Sequence, residues 1–120
     1  MNVTTDTFER DVIERSRELP VVVDFWAAWC GPCRTLGPAI EAEVAKRDGS
    51  VELAKVDVDA EQVLAARFGI QSIPTVAVFV DGRPVTGFVG AHPAAAIGRF
   101  LDGVVAEHAE AVDAEAVDAA

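Results

Sequence analysis

Cysteine is nearly absent: the 120 residues hold two, and both lie in "WCGPC" at 29–33. That scarcity excludes a disulfide-stapled scaffold. A bond between Cys30 and Cys33 would not act as a staple either, because a cross-link stabilises mainly by restricting the unfolded chain, and so short a ring restricts almost nothing. Base is in short supply too, with 10 Lys and Arg against 20 Asp and Glu and a net charge of −10. This argues against nucleic acid, since phosphate binding needs clustered cations to displace counterions. Histidine occurs only at His92 and His108, one just before a helix start and one in the carboxy-terminal tail. Zinc would want four ligands, so no metal site is expected. Long apolar runs are missing, which excludes a bilayer-spanning helix. The amino end, "MNVTTDTFERDVIERSRELP", has no basic start, apolar core or small-residue cleavage site, so neither a secretory signal nor a membrane anchor is expected. The expected location is cytoplasmic, where thiols are kept reduced and a disulfide is transient and catalytic.

What is present suits a single domain: 51% of the residues are apolar, enough for a core without metals or staples. The acidity is uneven. After Val105 the chain reads "AEHAEAVDAEAVDAA", with Glu107, Glu110, Asp113, Glu115 and Asp118 and no base, and "AEAVD" at 109–113 recurs at 114–118. The expected organisation is therefore a folded domain over 1–106 and an acidic, Ala-rich tail over 107–120, a frayed helix or disordered.

Alternating elements run along the domain. Thr4, Thr5 or Asp6 can cap a first helix carrying Phe8, Val12, Ser16 and Leu19 at helical spacing, which Pro20 ends. "VVVDFW" at 21–26 is apolar on both faces, the mark of a central strand. A second helix opens near Cys30, bears Cys33, Leu36, Ile40 and Val44 on one stripe and closes near "RDGS". "VELAKVDV" reads as a strand, "EQVLAARFG" as a short helix and "TVAVFV" as a strand; Asp81-Gly82 then turns a hairpin into "PVTGFVG". Pro93 starts a last helix whose face is Ile97, Phe100, Leu101, Val104 and Val105. Strand–helix–strand followed by a hairpin predicts an α/β fold with a mixed sheet flanked by helices.

The thiols now have a place. Cys30 follows a buried strand and stands at a helix start, where free N–H groups and the helix dipole favour an anion and lower a thiol pKa. Cys33 lies one turn on, near enough to attack a disulfide held on Cys30. Gly31 permits close approach and Pro32 sets the first turn without needing an N–H. Asp24 is the next oddity, a carboxylate in the middle of a strand covered on both faces. Buried and unpaired, it would have a raised pKa and could carry a proton near the thiols. Paired with Lys55 on the neighbouring strand, it would be structural. Pro74 in "GIQSIPT" begins a strand, where a trans or a cis bond is possible.

"VVVDFWAAWCGPC", "AKVDVD", "GIQSIPT" and "FVGA" resemble, in order and spacing, the landmarks of the thioredoxin family over about residues 3 to 105. The resemblance implies a thioredoxin fold with four to five strands and helices on both faces. It implies that Cys30 is the attacking thiolate and Cys33 the resolving thiol, with Asp24 and Lys55 as a proton-handling pair beneath Cys33. Trp29, Gly31, Pro32, Ile73, a cis Pro74 and Gly90 would form the substrate surface. The implied activity is protein-disulfide reduction with no cofactor beyond the cysteine pair, recycled by a flavin-dependent thioredoxin reductase, in a monomer that binds neither nucleic acid nor membrane. "DVIERSRELPVVVDFWA" and "FVGAHPAAAIGRFLD" also resemble the thioredoxin domain of co-chaperones bearing tetratricopeptide repeats. The alternative function is accordingly a holdase that keeps unfolded clients in the apolar groove around Trp29, Ile73 and Pro74.

Overall fold

Val21–Trp26 form strand β1, and its position explains why it is apolar on both faces. β1 pairs in parallel with β2 (Glu52–Asp57) on one side and antiparallel with β3 (Thr75–Val80) on the other. β3 continues antiparallel into β4 (Arg83–Val89), giving the sheet order β2-β1-β3-β4. The computed structural model describes residues 1–119, with side chains described through Ala114. The outer edge of β2 is partly covered by the amino terminus, where the Val3 N–H donates to the Lys55 carbonyl at 2.9 Å and the Lys55 N–H to the Met1 carbonyl at 2.8 Å.

Alternation along β1 divides the core in two. Val21, Val23 and Phe25 join Phe8, Val12, Ile13, Leu64 and Phe79 on the face covered by the amino-terminal helical segment and α2 (Gln62–Arg67). Val22 joins Leu36 and Ile40 of α1 (Gly31–Ala45) and Ile97, Leu101 and Val104 of α3 (Ala94–Ala119) on the other. Each fully buried Val, Leu or Phe contributes about 1.5–3 kcal/mol relative to exposure. The helices therefore cover both faces of a four-stranded mixed sheet.

The first helix is irregular. It is wound wide, as a π-helix, over Glu9–Glu14 and tightened to a 3-10 turn over Arg15–Arg17. Thr4 and Thr7 exchange side-chain to backbone hydrogen bonds in the turn before it, with Thr4 N–H to Thr7 Oγ1 at 2.9 Å and Thr7 N–H to Thr4 Oγ1 at 3.3 Å. Ser16, on its buried face, anchors the β3–β4 hairpin: its Oγ accepts from Gly82 N–H at 2.8 Å and its carbonyl accepts from Asp81 N–H at 2.9 Å. Asp81 and Gly82 both have positive φ, 52° and 85°, as a two-residue type I′ turn requires.

α3 runs to Ala119 without a break at residue 106. His108 is half-buried and, with Glu107 and Ala111, borders a hollow of about 190 Å³ against Val78, Val80, Val85, Thr86 and Val104. Residues 109–114 are exposed. The expected tail over 107–120 is thus a helical continuation as far as described, with Ala120 and the side chains beyond Ala114 outside the described residues.

Candidate active site

β1 ends at Trp26, and the loop Ala27–Trp29 carries the chain to α1. Cys30 is the N-cap of that helix, in extended backbone geometry, and its sulfur accepts a hydrogen bond from the Cys33 N–H at 3.2 Å. A donor from the first helical turn pointing at the sulfur favours negative charge there, which lowers a thiol pKa. Pro32 fills the first turn. Cys30 and Cys33 are joined as a disulfide with Cα atoms 5.3 Å apart. Exposure does not separate the two, at 3% and 6%; their positions relative to the helix start do.

The surroundings assemble from distant elements. Ile73, half-buried, packs on the cluster of Ala27, Cys30 and Cys33, together with Trp26 and Val58. The Ile73–Pro74 bond is cis. The Pro74 carbonyl accepts from Gly90 N–H at 2.8 Å, which ties the end of β4 to the loop before β3. Gly90 has φ +92°, a conformation that a side-chain-bearing residue rarely adopts, so backbone geometry gives it a reason to be glycine beyond leaving a groove clear. Trp29 is 66% exposed, and its indole N–H donates to Asp59 Oδ2 at 2.8 Å. Gly31 and Pro32 are exposed beside it. Arg34 reaches back to the Ala28 carbonyl at 2.9 Å and holds the loop against α1.

Asp24 is 1% exposed, and its Oδ1 has no hydrogen-bond partner. Burial pushes its carboxyl up to about 6, against a smaller lowering by Lys55 and a further push upward from Glu41. It stands on β1 between Val22, which packs with Leu36 of α1, and Trp26, which packs on the cysteines.

Of the two readings of Asp24, the ion pair with Lys55 is not formed. The strands do place the two residues opposite each other in register. The Lys55 ammonium, however, bridges Glu41 Oε1 at 2.8 Å and lies 5.5 Å from the centre of the Trp26 ring. Glu41 and Lys55 keep 52% and 21% of their side chains in water. A pair with Asp24 would have to be taken out of water, and the desolvation of two charges opposes it. Beneath Cys33 lies a cavity of about 330 Å³ that Lys55, Glu41, Gly37 and Trp26 also line.

Glu41, Asp59 and Arg34 are the neighbours that sequence reasoning missed. Glu41 had a signal: Cys33, Gly37 and Glu41 recur every four residues and so share one face of α1. Asp59 and Arg34 had none, because their partners are set by loop paths. Among the described residues no three His, Cys, Asp or Glu side chains gather as a metal site, and no helix is long and apolar enough to cross a membrane.

Comparison with known proteins agrees with this geometry. The sequence profile of the family described as Thioredoxin matches residues 1–103. A thioredoxin of Streptomyces clavuligerus is 48% identical over 98 residues, which are 82% of this chain and 89% of that protein. Thioredoxin 1 of Synechococcus elongatus is 42% identical over 100 residues, 83% of this chain and 92% of its own. A Mycobacterium tuberculosis thioredoxin is 43% identical over 105 residues, 88% of this chain and 89% of its own. With a profile match across most of its length, and with both cysteines at the start of the helix that follows its central strand, the chain belongs to the thioredoxin family.

Proposed function

We infer that the chain is a protein-disulfide reductase working by dithiol–disulfide exchange. The observation that carries the reading is the N-cap placement of Cys30, whose sulfur accepts the Cys33 N–H, with its partner sulfur one turn along the same helix. In the reduced form the Cys30 thiolate attacks one sulfur of a substrate disulfide; the Cys30–substrate bond forms, the substrate bond breaks, and the departing thiolate takes a proton from solvent. Cys33 then loses its proton to the Asp24 carboxylate and attacks the Cys30 sulfur, releasing the second substrate thiolate and closing the Cys30–Cys33 disulfide. Two electrons pass to the substrate, and a thioredoxin reductase returns them. No group beyond the cysteine pair is needed.

In this reading Trp29, Gly31, Pro32, Ile73, Pro74 and Gly90 form the surface that receives an extended substrate segment, and Lys55 supplies positive charge near Asp24. Cytoplasmic location and a monomeric state fit the reduced, recycled dithiol. The likeness of two sequence stretches to the thioredoxin domain of tetratricopeptide co-chaperones supports kinship with that branch of the family. Holding unfolded clients is the less favoured function, since a complete redox pair serves turnover. The test is reduction of insulin disulfides with and without thioredoxin reductase. Wild type is expected to accelerate reduction and Cys30→Ser to abolish it; a wild type no faster than Cys30→Ser would overturn the reading.

A further inference from the structure

Beside the cavity that Cys33, Glu41 and Lys55 line, two carboxylates compete for one cation. Asp24 on β1 and Glu41 on α1 both neighbour Lys55 on β2, which has a single ammonium. The ammonium sits on Glu41 at 2.8 Å, and Asp24 Oδ1 is left without a partner. Gly37, one turn before Glu41, lies against Lys55: a Cβ at Gly37 would stand 3.5 Å from Lys55 Nζ, an ordinary van der Waals contact. On the third side of Asp24, its β3 neighbour is Val76, which has no charge. Arg34 also lines the cavity, but its guanidinium is turned to the Ala28 carbonyl. Lys55 is thus the cation within reach of Asp24, and Glu41 is the group that holds it elsewhere.

We propose that Glu41 is a positioning residue that holds the Lys55 ammonium on its own carboxylate, withholding it from Asp24 and so leaving the buried Asp24 carboxylate a stronger base toward the Cys33 thiol. The consequence for the reaction rests on the reductase reading; the electrostatic claim does not. A carboxyl whose neighbouring cation is held by a rival stays buried and uncompensated, and it holds its proton to a higher pH than it would beside a free cation. Releasing Lys55 frees it to turn to Asp24, and an opposite charge at close range favours the ionised form.

The test is the titration of the Asp24 carboxyl followed by carbon-13 NMR in the oxidised protein, where no thiol titrates alongside it. The resonance is assigned by its loss in Asp24→Asn. Glu41→Gln, at a half-exposed helix position, is expected to lower the Asp24 midpoint by about one pH unit. In a Lys55→Gln background the same change is expected to lose most of its effect, because the influence runs through Lys55. An unchanged or raised midpoint in Glu41→Gln would overturn the proposal. So would an equal downward shift with and without Lys55, which would make Glu41 a through-space charge only. A protein inert toward insulin that still shows the Lys55-dependent shift would break the reductase reading and leave this one standing.

Discussion

Asp24 concentrates the residue-scale physics, because its burial is costly for the fold and, in the reductase reading, suits it to proton transfer. Its folded pKa, about 6, lies above the ordinary carboxylate value of 3.8. The folded state therefore binds more proton than the unfolded one between these values, and stability falls as pH rises through the window, levelling off above about 6. At about 1.4 kcal/mol per unit, Asp24→Asn should stabilise the protein at pH 7 by up to about 3 kcal/mol and should leave stability near pH 3 almost unchanged. Thermal melts across pH check this, and insulin reduction by the same variant should slow; a variant that is less stable yet fully active would mark Asp24 as structural. The thiols divide their labour at the same scale. Cys33→Ser should still attack substrates and remain joined to them through Cys30, which mass spectrometry of trapped conjugates would show. Conjugates linked through Cys33 in Cys30→Ser would reverse the assignment. Asp24 was legible because a carboxylate inside an apolar run is anomalous in itself. The partner of Lys55 was not, since two carboxylates compete for it and their relative solvation decides.

At the scale of elements, β4 is an outer strand, and its end is tied to the loop before β3 through Gly90 and Pro74. Gly87 of β4 faces Ala77 of β3, and a Cβ there would run into the Val76 carbonyl oxygen. Gly87→Ala should push β4 from β3 and destabilise the protein by about 1–3 kcal/mol, the usual range for overpacking at a site that cannot yield. It should also weaken the Gly90–Pro74 hydrogen bond, so insulin reduction should fall along with melting temperature. Unchanged melting would show that the strand shifts at no cost. Hydrophobic period made the four strands readable to within one residue, since a covered central strand and a one-sided helix leave different patterns in the chain, but the first helix starts later than its expected cap and α3 runs past its expected end near 106. The winding of the first helix was not readable. Its wide and tight turns accompany the docking of Ser16 on the hairpin tip, a contact 66 residues away in sequence.

For the whole molecule, the open question is where the domain ends. The charge pattern changes at 107, but α3 does not stop there, and His108 and Ala111 lie over the β3–β4 side of the sheet. Little apolar surface is covered by this stretch, and residues 109–114 are exposed. Truncation after Ala106 should therefore lower the melting temperature by a few degrees, about 1 kcal/mol, and leave insulin reduction within about twofold of full length. Calorimetry and the reductase assay at low and high salt check both halves. A salt-sensitive loss of reductase activity would give the acidic extension a role in substrate encounter.

The sequence by itself determined the alternation of elements, the place of β1 at the centre, the position of the cysteine pair at a helix start and the family. The first three follow from short-range properties, periodicity and turn chemistry, and the family from the resemblance of motifs spaced along the chain. Tertiary structure alone decided which carboxylate holds Lys55, that Asp59 tethers Trp29, that Gly90 binds the Pro74 carbonyl, and that the helix beyond 106 covers part of the sheet. Each depends on which groups come within reach of one another, and that is fixed only once strands and helices from separate parts of the chain have packed together.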